Sequence, residues 1–339
     1  MKGRTDSGPG TGGDVFTVAN ADEWASAVAT INSGGPGKTY TINVTASFSM
    51  DGITGRTFTP TGVSVTISGD ETITLTGTGS LLSIGDTQTV IMEDLDLAGN
   101  DSNDTSLVSV NGTFTMKGSA SVSGNTASNI GGGVSVLNGG VFTMEDNASV
   151  LNNTSSGGGG GVAVGSYGES SSTFIMKGSA RVSNNTASSG GGVLVLAGRL
   201  VMEGNASVSN NTAHLGEGGG VSIGAYGVGA GGTFTMEGDA EVKGNTATGV
   251  GKQGQGGGVA VLINGRFNIA SGAVYGSDAA VDLRNTADVN GAALYILDSS
   301  GTAQYGTYSG DTWTDDVWTS AGDLTTTNNT IRVVNGALQ

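Results

Sequence analysis

The sequence predicts an all-β fold, a single parallel β-helix (solenoid) of about 8–9 coils with a capping helix near its N-terminal side. The first observation behind this prediction is a unit that begins at Thr113 as TFTMKGSASVSGNTASNIGGGVSV and occurs five times at intervals of 26 to 34 residues. Recurrence on this scale is typical of solenoids. The second is composition, because glycine provides 63 of the 339 residues and proline only 3. Spaced apolar residues between the glycines distinguish the chain from a disordered linker.

One segment has helical rather than strand periodicity. Asp22 to Ile31 follows a possible N-cap at Asn20 or Asp22 and carries apolar residues at the spacing of one helical face: Trp24, Ala27, Val28 and Ile31. An open solenoid end exposes unpaired strands, so we expect this helix to cover the first coil.

Composition also predicts the domain boundaries. Residues 1–13 are expected to be a flexible lead, and residues 14–38 an N-terminal cap that contains the helix. Residues 39–300 should form the coils. Residues 301–339, in which tyrosine and tryptophan are frequent, should form the last coil and a C-terminal cap.

Each clear repeat predicts three strands, with the patterns F-x-M, A-x-V and G-V-x-V. Stacked coils should align equivalent residues into core files that begin with Phe114, Met116 and Val122. An asparagine row should form corners, because asparagine tolerates left-handed backbone and can both donate and accept hydrogen bonds. Its members are Asn125, Asn153, Asn185, Asn211, Asn245 and Asn285. The glycine runs before the third strand should supply positive φ angles.

Charge alternates in the outward position that follows the methionine file, in the order Lys117, Glu145, Lys177 and Glu203, and then Glu237. If the coils stack in register, opposite charges lie on adjacent strands. We interpret this alternation as a device that specifies register.

The formal net charge is −16 and the pI about 4.2. Such a negative field opposes nucleic acid and anionic lipid surfaces, so we expect no nucleic-acid partner. Cysteine is absent, which excludes disulfides and thiol catalysis. The sequence has no apolar stretch long enough to span a membrane and no signal-peptide region. Its acidic, lysine-poor composition, rich in Ser, Thr, Asn and Gly, still favours an extracellular or cell-surface location, with a signal peptide removed.

An acidic stretch near residue 100 is the candidate metal site. Asp94, Asp96, Asp101 and Asp104 could bind Ca²⁺ through oxygen ligands. Their spacing does not match an EF-hand, and a solvated acidic loop is the favoured interpretation. No other cofactor is expected.

Long loops between coils are the candidate binding region. Tyr167, Glu169 and Tyr226 occupy two such loops, and aromatic rings there could stack on sugar rings. No residues form a recognisable catalytic constellation. Glu203 and Glu237, stacked on adjacent coils, could form a glycosidase pair, but solvated charges on a repeat face are the favoured interpretation. The single histidine, His214, is expected at the surface.

An outward threonine file, which includes Thr115, Thr143 and Thr235, raises a further alternative, ice binding. Arg199 and Val201 interrupt the file. Association of solenoid ends into filaments is another alternative, and the oligomeric state is left open.

The segment FTVANADEWASAVATIN followed by FTMxGxAxVxxNTAxxGGGVxV coils resembles the right-handed parallel β-helix of the pectin-lyase-like superfamily. Within it, the repeats are most similar to bacterial surface proteins of the adhesin-like and polymorphic outer-membrane types. Regular coils, capped ends, acidic charge and the lack of a catalytic cluster favour a non-enzymatic secreted or cell-surface protein that acts in adhesion or as a scaffold. Its partner would be a host or cell-surface glycan or protein. The alternative is an enzyme that binds or degrades polysaccharides.

Overall fold

The computed structural model describes residues 13–53, 55–166, 172–224, 231–249, 254–297, 301–309 and 317–339, with only the backbone at 308–309 and 317–319. These residues form a β-solenoid of about nine turns with 47% strand and 4% helix, which confirms the predicted fold class. The helix, α1, spans Ala21–Ser33.

The strands of the solenoid stack into four sheets. Sheet 1 contains β1 (Asp14–Val18), β2 (Thr39–Val44), β4 (Ser64–Ser68), β7 (Thr89–Glu93), β10 (Thr113–Lys117), β14 (Val141–Met144), β18 (Ser172–Met176), β22 (Gly198–Met202), β26 (Thr233–Met236), β30 (Arg266–Ile269), β34 (Thr302–Ser309) and β35 (Val317–Asp323). Sheet 2 contains β3 (Phe48–Asp51), β5 (Thr72–Thr76), β8 (Asp96–Ala98), β11 (Ser121–Ser123), β15 (Ser149–Leu151), β19 (Arg181–Ser183), β23 (Ser207–Ser209), β27 (Glu241–Lys243), β31 (Gly272–Val274), β36 (Ile331–Val334) and β37 (Ala337–Leu338).

The other two sheets are built from shorter strands. Sheet 3 contains β12 (Thr126–Ala127), β16 (Thr154–Gly158), β20 (Thr186–Ser189), β24 (Thr212–Ala213), β28 (Thr246–Ala247) and β32 (Thr286–Ala287). Sheet 4 contains β6 (Leu82–Ile84), β9 (Val108–Val110), β13 (Val134–Val136), β17 (Val162–Val164), β21 (Val193–Val195), β25 (Val221–Ile223), β29 (Val259–Val261) and β33 (Leu294–Ile296).

Sheet 3 was not predicted, since the sequence suggested three strands in each coil. Four of its strands are only two residues long, and a Thr-Ala pair is too short to show the period-2 alternation from which strands are inferred. The alternation is present in the structure, because Ala127, Ala187 and Ala213 are buried and the threonines before them are not.

The predicted core files are confirmed. Parallel pairing aligns Phe114 with Phe142, and then Phe174, Leu200 and Phe234 in order along sheet 1. All are fully buried, and Phe267 extends the file by one coil. The Phe142 and Phe174 rings stack with centroids 4.8 Å apart, which is close to the spacing of adjacent strands of about 4.8 Å. The methionine and valine files are aligned in the same way.

The asparagine row forms a continuous hydrogen-bonded ladder inside the solenoid. Asn185 shows the pattern: its Nδ2 donates to Oδ1 of Asn211 at 3.0 Å and to the Val150 carbonyl at 3.1 Å. Its Oδ1 accepts from the backbone N–H and Nδ2 of Asn153, at 2.9 and 3.2 Å. The ladder runs from Asn103 through the predicted positions to Asn285.

The expected left-handed backbone does not lie at the ladder asparagines. It lies one residue earlier, where Asn152, Asn184 and Asn210 have φ angles of 55°, 56° and 56° and where Gly124 and Gly244 replace asparagine. The reason is that the preceding residue turns the corner, and this directs the ladder side chain into the core. Positive φ at the glycine runs is confirmed, for example 58° at Gly190.

The helix covers the first coil, as expected. Asn20 is the N-cap, since its Oδ1 accepts from the Glu23 N–H at 3.0 Å while Glu23 accepts from the Ala19 N–H at 2.7 Å. This arrangement is a variant of the capping box in which the glutamate accepts from the residue before the N-cap. Trp24 is buried and packs against Phe48, and α1 lies against β1 and β3. At the other end, the last strands are antiparallel to their partners. Strand β35 pairs with β34, β36 pairs with β31, and β37 pairs with β36.

The alternating charges meet across the coils. Lys117 lies 3.1 Å from Glu145 and Lys177 lies 3.8 Å from Glu203. Both pairs are partly exposed, so we attribute to them a role in register rather than a large stabilisation.

Replacing a ladder residue should cost far more than replacing its neighbour. Asn185→Ala deprives Asn153, Asn211 and the Val150 carbonyl of buried partners, so the free energy of unfolding should fall by about 3 kcal/mol or more. Asn184→Gly retains an exposed left-handed position and should change it by less than ~0.5 kcal/mol. Denaturant unfolding measures both, and equal losses would contradict the ladder's role.

Lys177→Glu would place a third carboxylate between Glu145 and Glu203. We expect the variant to lose up to about 1 kcal/mol at low ionic strength, and we expect added salt to reduce this loss. Lys177→Gln, which removes the attraction without adding repulsion, should lose less. Thermal melts at several salt concentrations test this, and a loss independent of salt would count against in-register stacking of these charges.

Candidate functional site

The candidate binding residues Tyr167, Glu169 and Tyr226 lie outside the described residues. Their proposed role in binding therefore stays a prediction.

The acidic stretch is divided between the turn before β8, the start of β8 and the turn after it. Asp94 lies before β8, where its Oδ1 accepts hydrogen bonds from the backbone N–H and hydroxyl of Ser119, and Asp96 accepts from the Ser121 hydroxyl. Asp101 and Asp104 are exposed in the turn after β8. The described residues contain no group of three or more His, Cys, Asp or Glu side chains that could hold a metal ion. Calcium binding stays a prediction, and the structure does not bring these four carboxylates together.

The other candidates noted in the sequence are placed on the outer faces. Glu203 is paired with Lys177, and His214 is exposed. Arg199 and Val201 align with Thr233 and Thr235 and interrupt the threonine file. Val201 is also buried, so this part of the file is not a uniform hydroxyl surface.

A cleft of about 220 Å³ lies on the outer face of sheet 2, near its C-terminal side. Its floor consists of Gly272 and Ala273 on β31. In register, Ala273 lies between Glu241 on β27 and Arg332 on β36. A strand with small side chains is flanked here by strands with long ones, and this size difference creates the cleft.

Glu241 is the best-connected side chain of the cleft. It accepts a hydrogen bond from the Tyr275 hydroxyl at 2.7 Å and forms an ion pair with Lys243. Burial alone would raise its pKa. Hydrogen bonds from Lys243 and Tyr275, together with the positive charges of Lys243 and Arg332, outweigh burial and lower the pKa of Glu241. Burial, and then Glu241 itself, raise the pKa of Tyr275.

Two charged groups of the cleft have no such partner. Asp239 and Arg332 both line it, and both residues are exposed. Among the described residues, neither side chain is within ion-pair distance of an opposite charge or makes a hydrogen bond. The cleft therefore presents an unpaired carboxylate and an unpaired guanidinium around an already neutralised Glu241–Lys243 pair.

The sequence revealed only part of this cleft. The spacing of the repeat places Arg181 and Glu241 at equivalent outward positions two coils apart, and Ser207 aligns with both. Tyr275 and Arg332 were not identified, because Arg332 reaches the cleft through an antiparallel strand outside the repeat.

Comparison with protein-family models, with curated proteins and with solved structures finds no match to this chain. The fold and the cleft thus rest on the residues themselves. Within the part of the chain that the structure describes, no helix has the length and apolar character to cross a bilayer.

The shifted pKa values predict how the cleft affects stability. The pKa of Glu241 is lowered in the folded state, so its charge stabilises the fold above about pH 4.3, the ordinary glutamate value. This contribution is lost as the pH falls through the folded pKa. The free energy of unfolding of Glu241→Gln should therefore lie below wild type at neutral pH and approach it in acid.

Tyr275 should act at the opposite end of the pH range. Its raised pKa gives a contribution that is complete below about pH 10 and disappears as the pH rises through the folded value. Tyr275→Phe should remove this alkaline component. Urea unfolding across the pH range measures both arms, and a pH-independent gap between Glu241→Gln and wild type would contradict the assignment to Glu241.

Proposed function

We propose that this chain is a non-enzymatic, secreted or cell-surface solenoid that acts in adhesion or as a rigid scaffold. The observation that carries this proposal is the constant register of the parallel strands in sheets 1, 2 and 4. About nine turns at about 4.8 Å each make a rod roughly 40 Å long. Its equivalent residues are hydrogen-bonded from coil to coil.

Rigidity supports such a role. Each coil of the ladder is tied to the next by backbone bonds, by buried asparagine amides and by stacked apolar side chains. A structure whose interior polar groups depend on neighbouring coils resists local bending, because bending would leave those groups unpaired. A rod of this kind can hold a binding surface at a fixed distance from its point of attachment.

The recurring residues are used by the fold. Phenylalanine, methionine and valine fill the core, and asparagine and glycine make the corners. Outward side chains and loops of unequal length are left for recognition, as in other solenoids. Because the net charge is −16, a neutral or basic partner is favoured.

The resemblance to adhesin-like and polymorphic outer-membrane repeats supports a surface location and a glycan or protein as ligand. The pectin-lyase-like resemblance keeps a polysaccharide-degrading enzyme as the competing proposal. Either function would use the side surface of the solenoid. A measurement of turnover, rather than of binding, therefore distinguishes the adhesion protein from the enzyme.

The test is a glycan array combined with turnover assays on pectin, alginate and glycosaminoglycans. We expect saturable binding to a glycan or to a cell surface without product formation. Wild type and Glu241→Gln should both show only background turnover. Release of new reducing or unsaturated sugar ends by wild type would overturn the proposal, and so would an absence of binding to glycans and cells alike.

A further inference from the structure

The cleft on sheet 2 is a site where the regular surface of the solenoid is interrupted. Farther from the C-terminal side, the same outward row holds Asp96, Ser121, Ser149, Arg181 and Ser207, and its serines make shallow stretches on either side of Arg181. At the C-terminal side the row changes to Glu241, Ala273 and Arg332. This change opens a concave space between a carboxylate and a guanidinium.

The two walls of the cleft differ in charge, with carboxylates on one side and a guanidinium on the other. Asp239 and Glu241 belong to the turn and strand on one side of β31, while Arg332 belongs to β36 on the other side. Glu241 is ion-paired with Lys243 and also feels the charge of Arg332. Among the described residues, Asp239 and Arg332 themselves make no ion pair and no side-chain hydrogen bond. A ligand that places a positive group near the first wall and a carboxylate near the second would pair both.

The dimensions limit the ligand. A cleft of about 220 Å³ is smaller than the ~300–1,000 Å³ of pockets that hold drug-sized molecules. It accommodates a compact molecule or the end of a longer one. The floor of Gly272 and Ala273 offers little side-chain contact, so affinity must come from the charged walls.

We propose that this cleft binds a small zwitterion of the α-amino-acid class. The carboxylate lies on Arg332, whose planar guanidinium can donate two parallel hydrogen bonds to it. The ammonium group lies beside Asp239 and the free lone pairs of Glu241. The Tyr275 hydroxyl is held by Glu241 and fixes the position of that carboxylate.

A sugar acid would offer a carboxylate to Arg332 but only neutral hydroxyls to Asp239. Charge-assisted hydrogen bonds are about twice as strong as neutral ones, so the unpaired Asp239 favours an ammonium group. The inference does not depend on an adhesive role, because a small-molecule site can exist on a scaffold or on an enzyme.

The experiment is a titration of the whole ¹⁵N-labelled chain, followed by NMR, with glycine and L-alanine as probes. We expect saturable shifts of the Ala273, Tyr275 and Arg332 amides. Glycinamide, which lacks the carboxylate, and N-acetylglycine, which lacks the ammonium group, should bind at least ~tenfold more weakly. Equal binding of either analogue, saturation by galacturonate alone, or no saturable shift with any probe would each overturn the proposal.

Variants locate the charges. Arg332→Gln and Asp239→Asn keep the size of the side chain and should each weaken glycine binding at least ~tenfold. Arg181→Gln removes an exposed guanidinium from the same outward row, away from the cleft, and should bind glycine as wild type does. Matching thermal midpoints verify that the variants are folded. Unchanged glycine binding in both cleft variants, or an equal loss in Arg181→Gln, would refute the assignment.

Discussion

The structure depends on the hydrogen bonds of a buried asparagine ladder. Asn153, Asn185, Asn211 and Asn245 are fully buried, and each side-chain amide is bonded to the coils on both sides. A buried amide without a partner costs about 1–3 kcal/mol. Every coil of the ladder, from Asn103 to Asn285, therefore fixes the position of the next, and a register slip at one level would leave unpaired groups at its neighbours.

The ladder explains why the last position of each glycine run is glycine, which backbone conformation does not explain. The last glycine of each run does not have a positive φ, yet an added Cβ would lie 2.7–2.9 Å from the ladder amide nitrogen of the next coil. The positions are Gly133, Gly161, Gly192, Gly220 and Gly258. In the described chain the ladder ends at Asn285. In the coil of Asn285, the residue that corresponds to Gly258 is Ala293. Glycine is thus required where a ladder amide lies above it, and alanine fits where the ladder has ended.

Periodicity made much of this architecture predictable. The Phe, Met and Val files follow from equal spacing in successive repeats, and the Trp24 face of α1 follows from helical spacing. The Thr-Ala strands of sheet 3 could not be recognised, because two residues carry no pattern. The left-handed position was assigned to Asn185 rather than Asn184, since two adjacent asparagines look alike in sequence and differ only in which one is buried.

The cleft could not be predicted from the sequence, for a different physical reason. Stacking brings equivalent residues together, so a repeat can create stripes of like side chains or alternating pairs that satisfy one another, as Lys177 and Glu203 do. It cannot easily place unlike, unpaired charges around a gap. That requires a break in the repeat: β36 runs antiparallel and carries Arg332 from a distant segment to the edge of β31. A binding site on this solenoid is therefore expected where the repetition stops, and the Asp239–Arg332 cleft is such a place.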